Sequence, residues 1–133
     1  MIERVLLDTS ALYAHMNTKD PDHNRVKGYL LAFHGNLFIT NFIFDEIITL
    51  ALTRMGHRKA VFTGETLMNQ KGLAIVRVSP ADEKIAWDLF VNRPDKTYSF
   101  TDCTSFAIMR RLGISRALTV DPHFQQEGFE LVV

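Results

Sequence analysis

The chain has 133 residues, of which 47% are hydrophobic and 23% are charged, and its fifteen basic side chains balance fifteen acidic ones. This composition is typical of one globular domain, 1–133, and excludes a disordered chain. A net charge of zero excludes general electrostatic attraction to nucleic acid, so a polyanionic substrate would need a local basic patch or a metal.

The first part of the chain alternates short apolar runs with helical patterns. The run "RVLLD" at 4–8 predicts a buried strand that ends in an acid, and "TSALYAHM" predicts a helix with Thr9 or Ser10 as its N-cap. The stretch "DPDHNRVKGYLLAF" predicts a turn and a helix. "LFIT" at 37–40 predicts the second strand.

A long apolar stretch, "NFIFDEIITLALTRM", follows that strand. It is too long for a strand, so it predicts a largely buried helix that Asn41 caps and Gly56 ends. Another helix is predicted at about 57–70.

The second half repeats the alternation. Strands are predicted at 73–78, 117–121 and, more weakly, 131–133. Between them, "SPADEKIAWDLFVNR" predicts a helix with Ser79 as its N-cap, and a further helix ends at Gly113. Strands that alternate with helices predict an α/β fold, with a central parallel sheet of about five strands and helices on both faces.

Three aspartates lie where such a fold would gather them. Asp8 and Asp121 end two predicted strands, and sites in open α/β sheets lie beyond the carboxyl ends of the strands. Each of them alone could be a turn residue. Asp102 shares a helix face with Phe106, where an ionised carboxylate is costly unless it is paired or bound to metal. The alternative is that Thr101 or Asp102 caps this helix.

The apolar helix contains two further acids, Asp45 and Glu46, and helical spacing does not decide which one could serve a site. Carboxylates from separate elements have the chemistry of a Mg²⁺ or Mn²⁺ site. The histidines lack the HExxH spacing of zinc sites, and we expect His123 to pack or cap beside Phe124. Cys103 is expected to be a small buried apolar group.

Four segments resemble a known family: "LLDTSALYAHM", "ITNFIFDEIITLALTRMGH", "YSFTDCTSFAIMRRLGI" and "ALTVDPHFQQEGF". They are similar, in order and spacing, to the successive motifs of the PIN-domain ribonucleases, and most of all to the VapC-like toxins of bacterial toxin–antitoxin pairs. The resemblance covers nearly the whole chain. It implies a three-layer PIN-like α/β fold and an endoribonuclease that hydrolyses RNA phosphodiester bonds, leaving a 3′-hydroxyl and a 5′-phosphate.

Carried over by position, the resemblance implies a catalytic and metal-binding set for Mg²⁺ or Mn²⁺ made of Asp8, Glu46, Asp102 and Asp121. It thereby selects Glu46 over Asp45. Second-layer or substrate contacts are expected from Thr9, Ser10, Ser105 and Arg54. Arg54 could instead complement its helix C-terminus. The implied partners are RNA, an antitoxin whose C-terminal segment wraps the active-site groove, and a second copy in a homodimer.

The same reading leads us to expect that the partner of Asp102 is a cation and not a basic side chain. A single cysteine excludes an intramolecular disulfide framework, and no signal peptide or membrane span is indicated, so we expect a cytoplasmic protein without membrane contact. Two other functions remain open. One is a flavodoxin-like phosphotransfer or regulatory domain, and the other is a catalytically silent module that binds RNA or an antitoxin.

Overall fold

The computed structural model describes residues 2–133. Its strands are β1 (Arg4–Leu7), β2 (Asn36–Thr40), β3 (Leu73–Val76), β4 (Arg116–Leu118) and β5 (Glu130–Leu131). They form one sheet in the order β3-β2-β1-β4-β5, and every neighbouring pair is parallel. The predicted five-stranded parallel sheet is therefore confirmed.

The helices are α1 (Thr9–Met16), α2 (His23–Ala32), α3 (Asn41–Met55), α4 (His57–Asn69), α5 (Pro80–Val91), α6 (Phe100–Leu112) and α7 (His123–Gln126). Helix α3 packs against α4, and α5 packs against α6. All were predicted except α7, whose four residues are too few to show a helical period. Among residues 2–133, no helix has the length and apolarity that a membrane crossing requires.

The core is built around β1 and α6. Val5, Leu6 and Leu7 are almost fully buried, as expected for the central strand of a parallel sheet that is covered on both faces. Every α6 residue from Asp102 to Met109 is also buried. The sequence predicts one buried apolar face for α6, but the helix is buried on all sides in this stretch. The buried residues include the acid Asp102.

The start of α3 differs from the prediction by one residue. Thr40 is the N-cap, and its Oγ1 accepts a hydrogen bond from the Ile43 backbone N–H at 3.0 Å. Asn41 lies inside the helix, where its Oδ1 accepts from the Val78 backbone N–H at 2.8 Å. The end at Gly56 is confirmed, because its φ of 94° lies in a region that favours glycine.

Candidate metal and active site

Asp8 follows β1 directly and occupies the N-cap position of α1, with extended φ and ψ of −87° and 161°. The prediction of Thr9 or Ser10 as N-cap was therefore wrong. The Asp8 carboxylate does not cap the helix, because other donors hold it. Its Oδ2 accepts from Ser10 Oγ at 3.1 Å and from Thr119 Oγ1 at 3.0 Å.

The same two hydroxyl groups tie the end of β1 to the segment after β4. Ser10 Oγ accepts from the Val120 backbone N–H at 3.1 Å. Thr119 Oγ1 accepts from the Asp121 backbone N–H at 3.0 Å. Since β1 and β4 are parallel neighbours, these bonds bring Asp8 and the turn of Asp121 to one edge of the sheet.

Asp102 reaches the site from the first turn of α6. The N-cap of α6 is Ser99, and not Thr101 or Asp102 as the capping alternative supposed. Ser99 and Asp102 form a capping box: each side chain accepts from the other's backbone N–H at 3.0 Å. Asp102 thus stabilises the start of α6. Only 7% of the Asp102 surface is exposed.

His123, at the start of α7, lies between two of the acids. Its Nδ1 lies 2.9 Å from Asp102 Oδ2 and 3.2 Å from Asp121 Oδ1. Asp102, Asp121 and His123 each offer one possible metal-ligand atom, and these atoms lie within 4.8 Å of one another. The expectation that Asp102 has no basic side-chain partner was therefore wrong.

Sequence reasoning missed His123 as a site residue and assigned it to packing or capping beside Phe124. The contact to Asp102 spans 21 positions, so it depends on the tertiary fold. A local signal was present, because an aspartate two residues earlier can close a turn with its own side chain. Asp121 Oδ1 does so by accepting from the His123 backbone N–H at 3.0 Å.

The electrostatics at Asp8 indicate uncompensated negative charge. Burial raises the pKa of Asp8, and the nearby Asp102 carboxylate raises it further, to about 7. Hydrogen bonds from Thr119 and Ser10 lower the pKa but do not offset these effects. A divalent cation that prefers oxygen ligands would neutralise the carboxylates of Asp8 and Asp102. The side chains of the site therefore fit such an ion.

Two buried hydroxyl groups next to these acids also lack a partner. Within the described residues, Thr9 Oγ1 and Ser105 Oγ have no hydrogen-bond partner. Thr9 follows Asp8 in the chain, and Ser105 lies one helical turn after Asp102. Buried polar atoms are normally hydrogen-bonded, so these two oxygens also fit a site that takes up an ion, water or substrate.

The acids of α3 and the basic Arg54 lie outside this group. Glu46 is half-buried and Asp45 is exposed, which agrees with the choice of Glu46, although Glu46 is not within the 4.8 Å cluster. Arg54 is exposed, and its guanidinium lies 5.0 Å from the centre of the Tyr13 ring. The roles of Glu46 as a ligand and of Arg54 as a phosphate contact stay predictions.

A family model and two curated relatives match nearly the whole chain. The PIN domain family model matches residues 5–129. The chain is 34% identical over 128 residues to the 23S rRNA-specific endonuclease VapC20 of two Mycobacterium tuberculosis strains, covering 94% of this chain and 95% of the relative.

Solved structures agree with that match. The crystal structure of M. tuberculosis VapC20, described as a Sarcin–Ricin loop cleaving toxin, superposes with a TM-score of 0.89 at 31% identity, covering 94% of this chain and 95% of that one. The structure of FitAcB from Neisseria gonorrhoeae shares the fold, with a TM-score of 0.73 at 15% identity, and covers 96% and 95%.

Proposed function

Because this chain belongs to the PIN-domain family, we propose that it is an Mg²⁺- or Mn²⁺-dependent endoribonuclease and the toxin of a toxin–antitoxin pair. One observation carries the catalytic part of this proposal. The carboxylates of Asp102 and Asp121 gather around His123, and the Asp8 carboxylate, after β1, is close enough to Asp102 for the two charges to repel. A family member without the reaction would have little reason to keep such costly charges together.

The residues proposed to hold the cation are Asp8, Asp102 and Asp121, with Glu46 from α3. When bound, the cation would supply Lewis acidity toward the phosphodiester and lower the pKa of water. The carboxylates fix its place, and Ser10 and Thr119 keep the Asp8 carboxylate in one orientation. Arg54, at the end of α3, is proposed to contact a substrate phosphate.

Ribosomal RNA is the substrate class that we propose to test first. The relative with 34% identity is named as a 23S rRNA-specific endonuclease, and it matches nearly the full length of both chains. The net charge of this chain is zero, so recognition of RNA would depend on a local arrangement of groups and not on a general basic surface.

The proposed protein partners are an antitoxin and a second copy of the chain. Helix α5 exposes the apolar side chains of Trp87, Phe90 and Val91, and exposed apolar groups of this size support a protein interface. Expression alone should slow growth, and co-expression with an adjacent small gene should restore it. Normal growth with an active, soluble protein would instead indicate a solitary nuclease.

A cleavage assay tests the proposed reaction. Purified protein is incubated with total RNA in EDTA, in Mg²⁺ and in Mn²⁺, and the ends of the products are mapped. We expect cleavage only with a divalent ion, and products with 5′-phosphate and 3′-hydroxyl ends. Cleavage that persists in EDTA would contradict the metal dependence. No cleavage under any of the three conditions would favour the alternative of a catalytically silent module that binds RNA or an antitoxin.

The family match favours this reaction over the phosphotransfer alternative. A flavodoxin-like regulatory domain would use one strand-end aspartate as a phosphate acceptor. Incubation with a small phosphodonor and Mg²⁺, followed by mass measurement, separates the two functions. A nuclease should gain no covalent phosphate at Asp8.

A further inference from the structure

His123 is held from both sides of its ring. Nδ1 lies 2.9 Å from Asp102 Oδ2 and 3.2 Å from Asp121 Oδ1. Nε2, on the other side, lies 3.1 Å from Thr97 Oγ1. Three segments of the chain, the start of α6, the turn after β4 and the loop before α6, therefore meet at one imidazole.

These contacts assign the hydrogen atoms. A carboxylate can only accept, so Nδ1 is the nitrogen that bears hydrogen. The aspartates therefore place the imidazole donor on their own side of the ring. The Thr97 hydroxyl can donate or accept, so it pairs with Nε2 and holds that side of the ring without choosing the tautomer.

A hydrogen-bonded network behind the His123 ring limits the movement of the ring. Tyr98 packs edge-on against His123, with the ring centres 5.4 Å apart, and only 5% of Tyr98 is exposed. The Tyr98 hydroxyl donates to Glu127 Oε1 at 3.1 Å. Arg93 and Arg110 also donate to Glu127, at 3.1 and 2.7 Å, and the Glu127 side chain is 4% exposed. Tyr98 and the Glu127 side chain are buried, and the two arginines complete the hydrogen bonds of Glu127 from the surface, so the Tyr98 ring is held in place.

The position of His123 decides which oxygens face away from it. Both the Ser99 backbone N–H and His123 Nδ1 reach Asp102 Oδ2, which leaves Oδ1 as the oxygen available to a cation. At Asp121, Oδ1 lies beside both Nδ1 and the backbone N–H of His123. His123 therefore contacts two of the proposed ligands, Asp102 through its ring and Asp121 through its ring and its backbone N–H.

We infer that His123 is a positioning residue that orients Asp102 and Asp121 for a divalent cation, and that Thr97 positions His123. The inference rests on the proposed function in taking these acids as ligands. Its measurable consequence is cation affinity, which does not require RNA. Partners that orient metal ligands in this way change affinity by about 10- to 100-fold when they are removed.

The first test replaces the imidazole. Mn²⁺ affinity is measured by calorimetry, without RNA, for wild type, His123→Leu and His123→Asn. The asparagine Nδ2 can stand near the place of the imidazole Nδ1 and keeps an N–H donor. We expect His123→Leu to weaken Mn²⁺ binding by about 10- to 100-fold, and His123→Asn to recover a large part of that loss.

Two results would overturn this role. Unchanged Mn²⁺ affinity in a folded His123→Leu protein would show that the imidazole orients nothing that the ion needs. Equal losses in both variants, with a nitrogen coupling to Mn²⁺ in the electron spin resonance of the wild type, would make His123 a direct ligand instead.

The second test changes only Thr97, which is exposed, so its substitution leaves the core intact. Thr97→Val removes the hydroxyl at similar volume, and Thr97→Ser keeps it. We expect Thr97→Val to weaken Mn²⁺ binding, whereas Thr97→Ser behaves as wild type. Unchanged Mn²⁺ affinity in a folded Thr97→Val protein would remove Thr97 from the proposal.

RNA cleavage is measured on the same samples and separates the two proposals. If wild type binds Mn²⁺ tightly but cleaves no RNA, the nuclease function fails, while the affinities still report the role of His123. If wild type binds no Mn²⁺, both the metal site and the positioning role fail.

Discussion

Asp8 and Asp102 lie close enough to repel each other, but their surroundings differ. Asp102 is reached by the Ser99 backbone N–H and by an imidazole, whereas Asp8 is reached by the hydroxyl groups of Ser10 and Thr119. Those neutral donors leave the pKa of Asp8 raised to about 7 by burial and by Asp102. A cation bound beside Asp8 would therefore stabilise its ionised form and lower its pKa.

Replacing Asp8 by asparagine tests its catalytic role. Asn has nearly the same shape but cannot carry the negative charge that a divalent cation needs. We expect Asp8→Asn to abolish RNA cleavage, with a circular dichroism spectrum like that of the wild type. Asp88→Asn, on the exposed side of α5, serves as the matched control and should cleave normally. Cleavage by Asp8→Asn at the wild-type rate would remove Asp8 from the reaction.

The adjacent acids of α3 form an internal control. Glu46 is half-buried and Asp45 is exposed, which favours Glu46 as the acid that serves the site. We expect Glu46→Gln to reduce cleavage by orders of magnitude and Asp45→Asn to change it little. Both rates are measured on the same RNA at saturating Mn²⁺. Equal losses would show that the assignment of Glu46 from the family motif is wrong.

At the residue scale, the candidate acids could be proposed from the sequence, whereas the groups that surround them could not. Asp8, Asp102 and Asp121 could be proposed because acids that follow an apolar run or interrupt an apolar helix face are locally conspicuous. The prediction that Asp121 ends its strand was wrong, because β4 ends at Leu118 and Asp121 lies in the turn that follows. The turn of Asp121 hinted at the histidine beside them, but its contacts to Thr97 and Asp102 could not be proposed, because they span 26 and 21 positions. Local periodicity carries no information on such distances.

Helices α5 and α6 begin with the same kind of N-terminal cap, but the capping acids have different roles. In α5, Asp82 forms a capping box with Ser79, and in α6, Asp102 forms one with Ser99. Each acid also has a basic partner from another element. Arg111 of α6 holds Asp82 at 2.9 and 3.0 Å, and His123 of α7 holds Asp102. The Asp82 pair joins α5 to α6, whereas Asp102 lies among the proposed metal ligands.

The similarity between the two capping boxes provides a matched pair of variants. Ser79→Ala and Ser99→Ala each remove one N-cap, and each should lower the free energy of unfolding by about 1 kcal/mol. Only Ser99→Ala loosens the turn that carries Asp102, so only this variant should also lose Mn²⁺ affinity. Urea unfolding and calorimetry measure the two effects. The same loss of Mn²⁺ affinity in Ser79→Ala would mean that general destabilisation is the cause.

At the element scale, the order and type of the longer elements were predictable, and the caps were less so. Apolar periodicity and length distinguish α3 from a strand. The observed N-caps differ from the predicted ones by a residue or more, because neighbouring polar residues can occupy the same capping position. Thr40 and Asn41 can both cap a helix, and the choice depends on Asn41 reaching Val78, 37 residues away.

At the scale of the whole molecule, the sheet order brings the site together. The first strand lies at the centre, between β2 and β4, so the chain that follows β1 meets the chain that follows β4. A parallel sheet could be predicted from the alternation of strands and helices. The strand order could not, since it is decided by which helices pack together and not by the pattern of any one segment.

The stability of the metal-free protein should depend on pH through Asp8. Its pKa is about 7 in the folded protein and its usual value is 3.8, so between these values the folded state binds more protons than the unfolded state. Stability then falls as pH rises from about 4 to 7 and is recovered on acidification from neutrality. Each pKa unit corresponds to about 1.4 kcal/mol.

Urea unfolding in EDTA at a series of pH values measures this dependence. The wild type should gain stability from pH 7.5 to pH 5.5, and Asp8→Asn should show a flatter profile and higher stability at neutral pH. Parallel profiles for the two proteins would show that the Asp8 carboxyl is not responsible.

The most direct measurement is a set of thermal melts of wild type and Asp102→Asn, with EDTA and with Mn²⁺. A cation that binds only the folded protein stabilises it by about 2.7 kcal/mol at a hundredfold excess over its Kd. If Asp8, Asp102 and Asp121 hold that ion, Mn²⁺ raises the melting temperature of the wild type, and Asp102→Asn loses most of the shift. If Mn²⁺ shifts both proteins equally, Asp102 is not a ligand, and the acids do not form the proposed metal site.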